Sequence, residues 1–327
     1  MSINSISNTA KKVNSFLLSR LEGNPTELYS AASHLIEYGG KRLRPYMVIK
    51  SCEILGGTIK QAMPAAAAVE MIHNFTLVHD DIMDNDEMRH GVPTVHTKFG
   101  MPVGILAGDV LFSKAFETIS STDHKTPKEV SLALISKLAQ ACVDVCEGQI
   151  LDIMMAQSSK IPTENQYIRM IEKKTAALFE VSCAMGAICA NTKRKDVVNL
   201  SSFGKNLGIA FQIVDDLIGV IGNSRITKKP VGNDIREGKK SLPILLAISM
   251  SKDQKKEEIL NAFGNSAASK DEIELAVKNI TSLGIEKIVR KKAMKYSNTA
   301  KKSLLCYSDA PKKELISLLE FVIERSM

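Results

Sequence analysis

The chain has 327 residues, with 43 basic and 36 acidic side chains, a net charge of +7 and no tryptophan. No apolar stretch reaches the roughly 18 residues that a membrane span requires, and six scattered cysteines in apolar surroundings point to a reducing compartment, read here as the cytoplasm, and not to a disulfide scaffold. The lysines cluster in one loop and in the C-terminal third with little aromatic interleaving, so nucleic acid is not an expected partner.

The first strongly periodic apolar run predicts a helix over 65–83. Its polar end carries Asp80-Asp81-Ile82-Met83-Asp84, followed by Asn85, Asp86, Glu87, Met88 and Arg89. Asp80, Asp81 and Asp84 fall at i, i+1 and i+4, so one face presents several carboxylates. Like charges this close do not all stay ionised unless something strongly positive sits among them. Carboxylate oxygens without Cys or added His suit hard cations, Mg²⁺ above all, which keeps waters and takes the rest of its shell from phosphates. Taken alone, the block reads at least as well as a solvated acidic helix end.

Runs over 103–120 and 128–156 follow. The second holds Cys142 and Cys146, an i, i+4 pair without nearby His and so read as core packing and not as a zinc site, and then Glu147-Gly148-Gln149. A run over 164–190 contains Lys174-Thr175. The next, over 197–221, carries Phe211-Gln212-Ile213-Val214-Asp215-Asp216-Leu217 near its polar end, with Gln212, Asp215 and Asp216 spaced i, i+3 and i+4 on one face. Two such platforms facing each other can hold metals on both sides of one diphosphate. The segment from Thr227 to Lys240 is rich in Lys and Gly, which can reach and wrap a polyanion. Further runs lie over 242–250, 271–283, 288–305 and 312–323, with breakers at Pro93, Pro102, Pro162, Gly222, Pro230 and Gly284. Alternating strand patterns are absent. The expected fold is all-α, a single large bundle of roughly 10–13 helices around a central cavity. With no linker and no break in composition, residues 1–327 are read as one domain.

Gly39-Gly40-Lys41-Arg42-Leu43-Arg44-Pro45, the Asp80 block, Glu147-Gly148-Gln149, Lys174-Thr175, the Phe211 block and Gly232-Asn233-Asp234-Ile235-Arg236-Glu237-Gly238-Lys239 occur in the order and spacing of the trans-isoprenyl diphosphate synthases. The resemblance to these head-to-tail prenyltransferases runs over 38–246. Within the family the chain is most similar to geranylgeranyl diphosphate synthases of archaeal type, on the stretch Asp216-Leu217-Ile218-Gly219-Val220-Ile221-Gly222. The resemblance implies the isoprenoid synthase fold, with the two acidic helices facing across the cavity mouth, and a homodimer. It also implies Mg²⁺, about three ions per site. The implied reaction joins isopentenyl diphosphate to an allylic diphosphate (dimethylallyl, geranyl or farnesyl), giving the C20 product. It further implies a helix before Gly39, against reading the acid-free, Ser- and Lys-containing first twenty residues as a transit peptide. The surplus positive charge is then a solvated surface able to attract anionic lipid or diphosphate.

Carried onto this chain, the family's metal ligands are Asp80, Asp84 and Asp215, with Asp81, Asp86, Gln149, Asp216 and Asp234 behind them. Arg89, Lys174, Lys229 and Lys239 add positive charge around the allylic diphosphate. Lys174, Thr175 and Gln212 shield the cation-like carbon as the diphosphate departs, and Gln212 also borders that diphosphate. Isopentenyl diphosphate is held without metal by Lys41, Arg44 and His73. The family usually has a second arginine where this chain has His90, within Arg89-His90-Gly91. Because histidine titrates at about 6.5, the expectation is weakened binding of isopentenyl diphosphate that improves at mildly acidic pH. Phe75, five positions before Asp80, resembles the floor on which a C20 tail stops, and Thr76 is small where farnesyl-producing relatives often have a second aromatic. A plain helical wheel places Phe75 about 140° from Asp80, so that role rests on resemblance. The alternatives are another chain length, a terpene cyclase or a non-catalytic subunit. A cyclase has no second diphosphate for Lys41, Arg44 and His73 to bind, and such subunits tend to lose an acidic block.

Overall fold

The computed structural model of the chain describes residues 3–121, 126–222 and 232–324; Lys229, with the neighbouring positions 223–231, lies outside them. The described residues are helical almost throughout. They form α1 (Ile3–Arg20), α2 (Thr26–Tyr38), α3 (Leu43–Glu53), α4 (Ile59–Met83), α5 (Val95–Phe99), α6 (Met101–Ser120), α7 (Lys128–Gln157), α8 (Glu164–Ile171), a π-helical turn (Glu172–Ala176), α9 (Ala177–Cys189) and α10 (Arg194–Ile221). Then come α11 (Asn233–Arg236), α12 (Leu242–Met250), α13 (Asp253–Ala262), α14 (Lys270–Ser282), α15 (Ile285–Ser303) and α16 (Asp309–Glu324). Among them, no helix is long and apolar enough to cross a membrane.

The helix count exceeds expectation for identifiable reasons. The helix expected to begin at Ala65 begins at Ile59, because Thr58 and Gln61 form a reciprocal capping box that starts it ahead of Pro64. Pro64 then sits inside the helix, without the N–H that Lys60 would have received. Pro102 starts α6 and does not interrupt it, as proline does in a first turn. α13 escaped notice because only Ile259 and Ala262 are buried along it, too few for a 3.6-residue apolar pattern. The expected absence of strands needs one correction. Met88–Arg89 (β1) pairs antiparallel with Val92–Pro93 (β2), Met88 opposite Pro93 and Arg89 opposite Val92. Two residues per strand are too few to show alternation. The joining residues, His90 and Gly91, have φ of 53° and 81°, the left-handed pair that a two-residue hairpin demands.

The chain divides into two compact units built from interleaved stretches. The first comprises residues 1–142, 178–204 and 304–315. In it α4 packs along α6 and α3, with Tyr46, Met47, Met71, Ile72, Leu111, Phe179 and Phe203 fully buried. Each such side chain contributes about 1.5–3 kcal/mol relative to leaving it in water. Small residues let these helices approach closely. Gly186 lies against Val48, where an added Cβ would stand 2.2 Å from the carbonyl oxygen. The second unit comprises residues 143–177, 205–303 and 316–327. Its core joins Tyr167, Ile171, Ile213, Leu217, Ile235, Leu242, Ile244, Ile280 and Val289, with α12 packing against α15 and α13 against α14.

Candidate active site

In the first unit, the acidic block occupies the last turn of α4. Asp84 is its C-cap, with its N–H bonded to Asp80 O, and Asn85 leaves the helix at φ 55°. The C-terminal end of a helix already carries partial negative charge, and the last turn of α4 has no basic residue to offset it. This helix end therefore favours cations from outside the helix. Asp80 is half-buried, Asp84 is exposed and Asp81 is fully buried. Arg89 reaches back from β1 with Nε and one Nη, each 2.6 Å from Asp81 Oδ1, and stands 3.8 Å from Asp86. The other oxygen of Asp81 has no hydrogen-bond partner among the described residues. Burial raises the Asp81 carboxyl above its ordinary range, and Arg89 opposes that rise.

A second cluster in the same unit is cationic. Gly39-Gly40 turns the chain into α3, and Arg42, at φ 51°, is drawn inward. There it pairs with Glu70 at 3.0 Å and donates to Asn14 Oδ1 and Ile36 O. Arg42 is thus a buried anchor, while its neighbour Lys41 is exposed. Arg44 lies over the ring of Phe179, 4.5 Å from its centroid, and its buried Nε has no hydrogen-bond partner among the described residues. Burial lowers the Arg44 guanidinium to about 10, still a full charge at neutral pH. His73 is held neutral by burial and by the nearby charges of Arg44, Arg42 and Arg89, with His90 adding to them. Arg44, Arg42, Arg89 and His90 are thus within electrostatic reach of His73. The ring of His90 packs against Gly39, where an added Cβ would meet it at 2.9 Å. Its imidazole is pushed below the ordinary range by burial, then by Arg89 and Arg42. The improvement expected at mildly acidic pH therefore moves to lower pH than an unperturbed histidine allows.

Farther down α4, Phe75 makes edge-on contacts with His79 and with Phe112 of α6, at 4.7 and 5.3 Å between centroids, and Phe112 continues to Phe116. Thr76 Oγ1 donates to His73 O. Phe75 therefore lies on the side of α4 that meets α6.

In the second unit, the expected helix over 164–190 is interrupted by the π-helical turn that carries Lys174 and Thr175. Gly148 of α7 lies directly against it. A Cβ there would fall 2.1 Å from Lys174 N and 2.5 Å from its Cα. The Glu147-Gly148-Gln149 signature is thus a close crossing of two backbones, possible only without a side chain, and Gln149 next to it is half-buried. Lys174 Nζ donates to Asp152 Oδ2 at 2.6 Å, Thr175 Oγ1 to Gln212 Oε1 at 2.8 Å, and Gln212 Nε2 to Asp216 Oδ1 at 2.8 Å. Asp216 is buried and accepts two further bonds, from Tyr167 OH at 2.6 Å and from Lys239 Nζ at 2.9 Å. Lys239 also stands 3.6 Å from Asp234, whose carboxylate occupies the space left by Gly219. Burial works against the Lys239 charge, but Asp216 and Asp234 outweigh it and hold the ammonium above its ordinary range. Asp215, next to the buried Asp216, is exposed.

Several partners were not foreseen. Asp152 had a weak signal, since it follows Gln149 by three residues on one face of α7. Tyr167 and Glu70 had none, and Arg42 was legible only as part of the Gly39 signature, because their roles depend on partners 49 and 28 residues away.

Comparison with known proteins adds a lineage. The polyprenyl synthetase family model matches residues 25–280. A geranylgeranyl diphosphate synthase of Sulfolobus acidocaldarius is 41% identical over 96% of this chain and 95% of its own. The crystal structure of a geranylgeranyl pyrophosphate synthetase from Pyrococcus horikoshii superposes with a TM-score of 0.92 at 36% identity, covering 98% of both chains. A polyprenyl synthase from Caulobacter crescentus, solved with calcium and isoprenyl diphosphate, superposes with a TM-score of 0.88 at 31% identity, covering 100% of this chain and 98% of its own.

Proposed function

This chain belongs to the polyprenyl synthetase family, and from that membership we propose that it joins isopentenyl diphosphate to allylic diphosphates, as a trans-prenyltransferase with geranylgeranyl diphosphate as its main product. Residues 1–327 act as one catalytic domain on this reading. The observation that carries it is the placement of both acidic blocks near helix C-termini whose last turns hold no basic residue. Such ends are costly without cations and suited to them.

Mg²⁺ fits these donors, with Asp80 and Asp84 holding it at the end of α4 and Asp215 near the end of α10. Mg²⁺ needs only a few protein carboxylates, because it completes its shell from water and phosphate oxygens. When bound, Mg²⁺ supplies positive charge against the departing diphosphate.

The chain's own residues do the rest. Arg89, Lys174 and Lys239, with Lys229 outside the described residues, neutralise the diphosphate as the allylic C–O bond breaks and the electron pair leaves with oxygen. The double bond of isopentenyl diphosphate attacks the cation-like carbon, forming the new C–C bond, and the departed diphosphate takes the proton then lost. Thr175 and Gln212 present oxygens towards the cation, oriented by their mutual hydrogen bond and by Asp216. Lys41, the unpaired Nε of Arg44 and the neutral His73 hold isopentenyl diphosphate; His73 offers a hydrogen bond and no charge. His90, neutral at pH 7, contributes less than an arginine would. Replacing His90 with arginine should lower the KM for isopentenyl diphosphate about fivefold to tenfold at pH 7.5, the roughly 1 kcal/mol by which a charge-assisted hydrogen bond exceeds a neutral one. The gap should narrow as pH falls through the lowered histidine pKa, because the wild-type ring then gains its own charge. Equal KM values for the two proteins at pH 7.5 would sink this role.

The aromatic line Phe75–Phe112–Phe116 supports a floor for the growing tail. Incubation with Mg²⁺, labelled isopentenyl diphosphate and each allylic primer tests both chemistry and length. The wild type should give a dominant C20 alcohol after dephosphorylation, and Phe75→Ala longer ones. No condensation with any primer overturns the enzyme assignment, and an unchanged product spectrum in the variant overturns the floor.

A homodimer is the proposed assembly. Leu132, Val143, Ile150 and Met154 are exposed apolar residues on α7, and at 100° per residue they fall within one narrow stripe. Light scattering should return twice the 35.8 kDa of one chain, and Ile150→Glu should return the monomer mass; a monomeric wild type removes the idea.

A further inference from the structure

A groove far from this machinery has its own chemistry. It lies within the first unit, encloses about 820 Å³, and is lined by residues of α1, the first turns of α4 and the end of α6. That volume falls in the range of small-ligand sites, about 300–1,000 Å³. Phe16 and Met63 give it an apolar floor, while Lys11, Lys12, Arg20 and Lys60 stand around it. No acidic residue is among its described lining. The arrangement has a sequence cause. α1 turns Val13 and Leu17 into the core, and its opposite side carries the cations without a single acid between Ile3 and Arg20. Arg20 is held over the Phe16 ring, 5.0 Å from its centroid, which keeps the charge at the rim. None of the four cations is in an ion pair with a described residue. Their charges are therefore not offset by an ion pair within the described residues.

We infer that this groove docks the chain on a membrane surface, with the phosphate of an anionic phospholipid among Lys11, Lys12, Arg20 and Lys60 and the start of its tail against Phe16 and Met63. Charge complementarity selects the headgroup and the apolar floor selects a lipid over a free anion. Each basic residue near an anionic surface is worth about a factor of five in partitioning. Lys60 and Asp80 are separated by twenty residues of one helix, about 30 Å at roughly 1.5 Å per residue, so the groove can be altered without touching the acidic turn.

Co-sedimentation of the full chain with phosphatidylcholine vesicles, with and without phosphatidylglycerol, tests this. Binding should require phosphatidylglycerol and weaken with salt. Lys11→Gln or Lys60→Gln should each cost about fivefold, and the variant with all four cations changed to Gln nearly three orders of magnitude. Circular dichroism and condensation activity should match the wild type throughout. The inference fails if the wild type ignores phosphatidylglycerol vesicles or if the four-site variant binds them equally well. It also fails if inorganic diphosphate or an oligonucleotide of matched charge displaces the vesicles completely, since the site would then be a plain anion surface.

Discussion

Asp80→Asn should lower the rate of condensation about a thousandfold while leaving the protein as stable as before or slightly more so. The two effects have opposite signs for one reason. Asp80 sits on the last turn of α4 beside Asp81 and Asp84, at the negative end of the helix, with no basic residue in that turn. Removing one charge relieves repulsion and improves the match to the dipole, by about 0.3–1 kcal/mol. On the proposed reading the same charge anchors the cation that stabilises the leaving diphosphate, and one preorganised electrostatic contact of that kind is worth about 10²–10³ in rate, a metal anchor being at the top of that range. Single-turnover incorporation of labelled isopentenyl diphosphate, together with a thermal melt, reads both. A melting point that falls with activity would mark Asp80 as structural, and activity within tenfold of wild type would remove it from the ligand set.

Gly148→Ala should damage both stability and rate. The added methyl would fall 2.1 Å from Lys174 N, 2.5 Å from its Cα and 2.6 Å from Lys173 C. These are backbone atoms, so no side chain can rotate away. The crossing must open, and forced expansion of a packed contact costs about 1–3 kcal/mol. The π-helical turn then carries Lys174 and Thr175 with it. A displacement near 1 Å of positioned groups can cost about 10²-fold in rate, whereas KM for isopentenyl diphosphate should change little, because Lys41, Arg44 and His73 lie in the other unit. Steady-state kinetics with both substrates varied and a thermal melt provide the check. Wild-type kcat and melting point together would show that the crossing has no catalytic role.

The contrast between these two residues explains how much was legible in the sequence. Asp80 was readable through its context: an acidic helix end is common by itself, but a second acidic block at Asp215 and the ordered signatures around both give it a meaning. The long helices α7 and α10 were readable to within a few residues because their apolar positions recur with helical spacing. Gly148 was readable only as part of a signature: its reason lies in a backbone 26 residues away. The π-helical turn left no trace, since one extra residue in a turn barely disturbs the apolar pattern of 164–190. Likewise Tyr167 looks like an ordinary core aromatic until its hydroxyl is found on Asp216. Local periodicity reports which face is buried; it does not report which polar atom meets which.

The hairpin at residues 88–93 sets a residue's chemistry against its backbone. A left-handed turn position suits glycine or asparagine, and a larger L-residue there gives up roughly 1–2 kcal/mol. Position 90 nevertheless holds an imidazole at φ 53°, laid on a glycine that leaves room for the ring and little else. Asparagine would make the more comfortable turn and glycine the most relaxed one. A ring nitrogen that can accept a proton or donate one is what neither offers. On the proposed reading such a position is a tuning point: a swap to arginine or back would change how strongly the pocket grips isopentenyl diphosphate without rebuilding a helix.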